Sequence, residues 1–399
     1  MTRKKLALII GGAVAALLVV GGAVFALTRS DSTKTAESEP TVSTTTTTAP
    51  LPVWPLTGVA DAKASGPAHP AIVVKMDNSP DARPQTGINE ADVVYELLVE
   101  GITRYALVFH SNLADPVGPV RSARSSDIDL IADLSTPLFV WSGANAGVAG
   151  EVNAAARKGI LVDASNSAAA PAYYRSDDRQ SPHNLYVHLP QVLELKAPEK
   201  QGNPAPIFNF RKIVAATPTT TTSSTSTTSK KSATTTTSIV PTTTTTTTVP
   251  GALTPGFTLD FGGVAVDYVW NSGTQGWSRL QVDQTHPRAK SPTLDTAGVQ
   301  VSPANVIVQF IDYGQSPSDS RSPMALTVGT GKVLVFTDGR VIGGTWSRPT
   351  ADKPTTYTAD DGTPILLSPG RTWVELPRIG SPISVLDQAT ADAYLAIKG

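Results

Sequence analysis

Between Thr217 and Pro250 the chain is almost entirely threonine and serine, with Lys230 and Lys231 in the middle, and this tract limits what the 399 residues can fold into. β-Branched threonine favours extended backbone, but without apolar partners it has nothing to pack against, so no core can run through the tract. Globular structure must be assembled from the residues on either side. A similar Ser/Thr/Glu/Pro stretch, Ser30 to Pro50, holds Thr44 to Thr48 in a row and reads as a disordered stalk. Tracts of this composition outside the cell are also common O-glycosylation substrates.

Ahead of the stalk, Arg3, Lys4 and Lys5 precede an uncharged apolar run from Leu6 to Thr28. About 23 residues of helix rise roughly 34 Å, enough to cross a hydrocarbon core of about 30 Å. With the basic flank on the N-terminal side, the positive-inside rule leaves the first residues in the cytoplasm and exports the rest. The chain is therefore expected to be a single-pass cell-membrane protein with an extracytoplasmic bulk. Residues 1–29 form the cytoplasmic tip and transmembrane helix, and the membrane is the partner of that helix. A cleaved signal peptide ending near Val24-Phe25-Ala26 is the alternative; the run is longer than a usual signal h-region.

The fold class expected is α+β: a membrane helix, an α/β domain over 51–200, then a mainly β domain carrying a disordered Thr-rich insertion. In the first domain Ala71 to Met76 reads as a buried strand. Asp92 to Val99 and Ile102 to His110 read as a hairpin turning at Glu100-Gly101. Leu138 to Trp141 reads as a strand and Ala146 to Lys158 as a helix. Asp127 to Leu134, with Ser125 or Ser126 as N-cap, has apolar residues at helical spacing. After Pro250 the sequence turns to short β runs with Asp338-Gly339 and Asp361-Gly362 turns, and a helix follows only at Asp387 to Ile397. Pro206 to Phe210 already reads as a strand before the threonine tract. The second domain is accordingly taken as 201–214 plus 251–399, with 215–250 as an insertion or, alternatively, a linker.

One ordered string of motifs carries a resemblance. Lys75-Met76-Asp77-Asn78-Ser79-Pro80-Asp81-Ala82-Arg83-Pro84-Gln85 is followed by Ala91 to Glu96, Val99 to Arg104, Gly118-Pro119-Val120-Arg121-Ser122-Ala123-Arg124 and Pro182-His183-Asn184-Leu185-Tyr186. The β half adds Val306 to Gln309, Gly344 to Ser347 and Pro369 to Glu375. Together they resemble the YerB-like family of bacterial cell-envelope proteins, from about Pro55 to Pro377 apart from the threonine tract. The resemblance implies two domains of unknown function on lipid-anchored or membrane-anchored proteins, with no activity to carry over. This chain has no cysteine to lipidate, so its apolar N-terminal segment would take over the anchoring.

Chemistry is sought first at Arg121 and Arg124, which stand where a strand gives way to a helix. A cation beside a helix N-terminus costs roughly 0.3–1 kcal/mol unless an anion compensates. On the hairpin, Arg104 shares a strand face with Ile102 and Ala106, while Thr103, Tyr105 and Leu107 take the other. If the hairpin abuts Val120, three arginines surround one pocket, and guanidinium forks grip phosphate or carboxylate at two points. Alternatively the arginines pair with Glu96, Glu100, Asp127 or Asp129 and hold a corner together.

The ligand-binding candidates are thus Arg83, Glu100, Thr103, Arg104, Arg121, Arg124, His183 and Asn184, for a cell-wall glycan or another anionic ligand. The leading expectation is a binding or scaffold protein; the competing one is a hydrolase or transferase acting on wall glycopolymer through Glu100, Asp127 and His183. Balanced charge, Lys+Arg 32 against Asp+Glu 33, gives no field to gather nucleic acid. The five histidines show no metal-binding spacing, zero cysteine excludes thiolate sites, and no cofactor fingerprint is present. Ser142 to Gly147 reads as a glycine-eased turn before a helix and as a weaker phosphate cradle. Trp270, Trp277, Trp346 and Trp373 fit a β core or a sugar-stacking surface. Arg279, His286 and Arg348 are minor candidates.

Overall fold

Ile72–Met76 is buried along its whole length because both faces of this strand, β1, are covered. That burial agrees with its unbroken apolar character, which only Lys75 interrupts. In the computed structural model residues 52–61, 68–198, 202–212, 250–282 and 289–398 are described. The expected membrane helix, the stalk, most of the threonine tract and His286 lie outside them. No helix among the described residues is long and apolar enough to cross a membrane.

After β1 the chain forms the hairpin β2 (Val93–Leu98) and β3 (Thr103–Phe109), turning at Glu100-Gly101, where Gly101 adopts a φ of 75°. There follow α1 (Ser126–Ile131), β4 (Leu138–Val140), α2 (Ala146–Arg157), β5 (Val162–Asp163), β6 (Tyr173–Arg175), β7 (Leu185–Val187) and α3 (Leu189–Lys196). Beyond the threonine tract come β8 (Ala252–Leu253), β9 (Gly256–Asp260), β10 (Ala265–Asn271), β11 (Gly276–Val282), β12 (Lys290–Pro292), β13 (Asn305–Gln309), β14 (Asp312–Ser316) and β15 (Asp319–Leu326). The chain ends with β16 (Gly329–Thr337), β17 (Arg340–Arg348), β18 (Thr356–Ala359), β19 (Thr372–Leu376), β20 (Ile383–Val385) and α4 (Gln388–Leu395). The architecture is mixed α/β and dominated by strands.

The two halves share their largest sheet. It has eleven strands in the order β18-β17-β16-β13-β19-β2-β3-β1-β4-β5, with β8 beside β17. The halves meet where β2 and β19 run parallel, with Glu96 opposite Glu375. One face of this sheet carries Val74, Met76, Tyr105, Leu107, Phe336 and Trp373. It packs on a five-stranded sheet, β12-β11-β10-β9-β20, through Phe257, Tyr268 and Trp277. Phe257 and Phe336 stack with ring centroids 3.7 Å apart across that interface. The other face carries Val73, Val93, Ala106 and Val108 beneath Leu130 and Ile131 of α1 and Val148 and Val152 of α2.

Three local expectations are corrected. Pro206 to Phe210 forms no strand; a single bridge joins Phe210 to Leu367. Neither Ser125 nor Ser126 caps α1. Their hydroxyls face the β14–β15 hairpin, Ser125 Oγ lying 2.7 Å from Ser316 Oγ and Ser126 Oγ accepting the Ala325 N–H. Asp127 takes the capping role by accepting the Arg124 N–H, and α1 stops at Ile131. Of the two readings of the tryptophans the β core holds: Trp277, Trp346 and Trp373 are buried and Trp270 is half-buried.

Candidate functional site

Strand alternation places Lys75, Asp77 and Arg104 on one face at the open end of β1 and β3. Lys75 lies opposite Ala106 in the register, so Asp77 falls beside Arg104. The segment after Gly118 closes this end, with Met76 bridging Val120 and the Arg121 N–H donating to the Lys75 carbonyl. A Cβ on Gly118 would lie 2.7 Å from the Tyr186 ring and 2.8 Å from the Leu185 carbonyl. Only glycine lets this segment pass so close to β7, and that approach delivers Arg121 and Arg124 to the site.

Four cations, Lys75, Arg104, Arg121 and Arg124, share three carboxylates there. Lys75 Nζ lies 2.6 Å from Asp127 Oδ1, and both side chains are fully buried. Burial lowers the Lys75 pKa, and Asp127 offsets part of that fall. Removing one partner of such a pair costs roughly 3–5 kcal/mol, so Asp127 is a structural anion. Arg124 grips both oxygens of Glu100 at 2.8 Å. Burial works to raise the Glu100 pKa, but the hydrogen bonds and charge of Arg124 outweigh it and hold the carboxyl at about 2. Arg121 Nε stands 2.8 Å from Asp77 Oδ2 without the alignment of a hydrogen bond.

Asp77 is the hub of this end. It accepts the Ser79 N–H at 3.0 Å and faces His183 Nδ1 at 2.7 Å. An ionised carboxylate only accepts, so Nδ1 of His183 carries a proton that points at Asp77. Burial favours protonated Asp77, yet the Ser79 N–H, Arg121 and His183 together prevail and its pKa is lowered.

Arg104 has no such partner. It is 6% exposed, and its Nε and Nη1 are buried without a hydrogen bond among the described residues. Burial, followed by the positive charges of Arg124 and Arg121, outweighs the attraction of the more distant Glu100 and Asp77 carboxylates and pushes its pKa down to about 10. A buried, unpaired guanidinium is costly to keep. The side chains of Arg121, Arg124 and His183 beside it remain 19%, 14% and 17% exposed, so the cluster reaches the surface.

The remaining sequence candidates lie elsewhere. Thr103 faces the opposite side of β3, where its hydroxyl donates to Glu96 at 2.6 Å and accepts from Asn78 at 2.8 Å. Arg83 also belongs to that side and holds Asn78 through Nε and Nη2. Asn184 accepts from Arg175 and donates to the Ser176 carbonyl. The Ser142 to Gly147 turn is filled by the β14–β15 hairpin: Asn145 caps α2 and donates to the Ser318 carbonyl, which argues against a phosphate cradle. Arg348 ties down the 350–353 loop through the carbonyls of Ala351 and Lys353.

Sequence reasoning missed Lys75 and Asp77 and, in a second buried group, Tyr268 and Glu375, which join the minor candidate Arg279 and its partner Glu96. A charge inside the apolar run Ile72–Met76 and another directly after it were the available signals for the first two. In the second group Arg279 donates to Glu96 at 2.9 Å, and Tyr268 donates to Glu375. Burial and the neighbouring Glu96 raise the Glu375 pKa well above the usual carboxylate range. No group of three or more metal-type ligands forms among the described residues.

Comparison with known proteins gives a consistent assignment. Residues 56–203 match the N-terminal domain, and residues 257–374 the C-terminal domain, of the protein family of unknown function DUF3048. The putative lipoprotein YerB of Bacillus subtilis strain 168 is 35% identical over 152 residues, 37% of this chain and 43% of that relative. The chain thus aligns with less than half of that relative's length. The crystal structure of the YerB protein from Bacillus subtilis superposes with a TM-score of 0.61 at 22% identity, covering 83% of this chain and 99% of that one. At that identity the likeness is one of fold.

Proposed function

Because the chain belongs to the two-domain YerB-like family DUF3048, we propose that it is a membrane-anchored extracytoplasmic protein. Its role in this reading is to bind an anionic group, on a wall glycan or a partner, through Arg104, Arg121 and Arg124. A relative that bears the name putative lipoprotein supports the location. In this cysteine-free chain the apolar segment Leu6 to Thr28 would supply the anchor.

The observation that carries the reading is Arg104. Folding has left this buried guanidinium unpaired between two other arginines, and an incoming phosphate or carboxylate would supply the missing anion. Catalysis by Glu100 and Asp127 fits less well. Glu100 is held ionised by Arg124 and cannot serve as a general acid near neutrality, while Asp127 is enclosed against Lys75.

Retention on purified wall polymer separates the two readings. Binding predicts that Arg121→Ala and Arg124→Ala each weaken retention about tenfold, the size expected of a charge-assisted contact, while Glu100→Gln retains it. Release of soluble product from the polymer by wild type, abolished in Glu100→Gln with the fold intact, would instead establish an enzyme.

A further inference from the structure

On the opposite face of β3 from the arginine cluster, two cavities of about 280 and 480 Å³ lie end to end between the 80–84 segment and the five-stranded sheet. Both are lined by Pro80, Arg83, Gln281 and Val282, so they form one groove with those side chains at its middle. We propose that this groove binds a ligand bearing a single carboxylate flanked by aliphatic groups, with Arg83 and Gln281 as its two-point grip.

Arg83 spends Nε and Nη2 on Asn78, takes no ion pair among the described residues, and keeps Nη1 uncommitted. Gln281 accepts from Arg279 Nη1 through Oε1 at 3.2 Å, which fixes its amide and leaves the Nε2 hydrogens without a partner among the described residues. The supports of these two donors are themselves locked. Asn78 donates to Thr103, Thr103 donates to Glu96, and fully buried Arg279 spans Glu96 and Thr293. Two oriented donors match the two oxygens of one carboxylate, and their order is secured before any ligand arrives.

The walls define the rest of the ligand. Ile102, Val264 and Val266 line one arm, and Pro292 and Leu294 the other; among the described residues no aromatic ring lines either cavity. Aliphatic walls suit alkyl groups and peptide side chains, whereas pyranose rings favour aromatic platforms. Asp295 in the second arm already accepts from Asn89, Ala297 and Val299 and repels further negative charge, so a monoanion fits better than a phosphate dianion.

Calorimetric titration of the full chain with hexanoate, and separately with the blocked peptide Ac-Ala-Val-Glu-Val-Ala-NH2, tests the proposal and distinguishes a free acid from a peptide carboxylate. At least one probe should bind, with affinity reduced about tenfold in both Arg83→Gln and Gln281→Leu. Gln281→Leu guards against misfolding in Arg83→Gln, and a thermal melt accompanies each variant. Failure of both probes to bind wild type, or equal binding by folded Arg83→Gln and Gln281→Leu, overturns it. Loss of binding in Arg121→Ala alone would place the probe at the arginine cluster and also overturn it, whereas failure here leaves the wall-polymer result untouched.

Discussion

At the scale of single residues, the fold retains charge where burial makes it expensive. Asp133, just beyond α1, shows the competition most plainly. Burial raises its pKa from 3.8 to about 6 even though Arg348 lies 3.5 Å away. An acid whose folded pKa exceeds its unfolded value stabilises the fold fully below the unfolded pKa and loses that contribution as pH rises through the folded one. Wild type is therefore expected to lose up to about 3 kcal/mol from this group between about pH 4 and about pH 7. Asp133→Asn removes that slope. Urea unfolding of both proteins at the two pH values checks the point, and an undiminished slope in the variant would refute it.

Residue types alone singled out the arginines, because Arg121 and Arg124 stand where a helix N-terminus disfavours cations. Their partners were less legible. Asp127 is the nearest carboxylate to Arg124 in sequence, yet its side chain goes to Lys75, and Glu100 from the hairpin turn takes the guanidinium. Strand alternation correctly separated Thr103 from Arg104. It could not show that Arg83 joins Thr103's side, since this depends on Asn78.

At the scale of elements, the β14–β15 hairpin seals the N-terminal ends of α1 and α2. A Cβ on Gly147 in α2 would lie 2.7 Å from Ser318 Cβ and 2.9 Å from its Oγ. Alanine normally gains up to about 1 kcal/mol over glycine in a helix, but overpacking typically costs about 1–3 kcal/mol. Gly147→Ala should therefore lower stability, by roughly 1–2 kcal/mol, and Ser318→Gly in the same chain should recover most of it. Denaturant midpoints for the single and double variants decide between clash and propensity. The sequence showed helix α2 and the turn before it, but nothing local announced that a hairpin some 170 residues later would cover them.

For the whole molecule, the decisive contact is the parallel pairing of β2 with β19, in which Val93 meets Thr372 about 280 residues later. The two composition zones on either side of the threonine tract were legible. Their merger into one sheet was not, because strand runs reveal no partner across such a distance. Joined in this way, and by the Phe210–Leu367 bridge, the halves should hold together once the chain is cut. After cleavage at a protease site placed within 215–249, both fragments are expected to elute together at the volume of the uncut protein. Separate elution would show that the shared sheet does not bind them.

The account turns on Arg104 as a cation kept for a ligand at the expense of stability. Removing a charge that burial and two neighbouring arginines disfavour should stabilise the fold, yet should also remove the anion site. The most direct measurement is a paired one on Arg104→Met: thermal midpoint, and retention on purified wall polymer. The account predicts a higher midpoint than wild type together with lost retention. A lower midpoint with retention unchanged would contradict it and make Arg104 a structural residue.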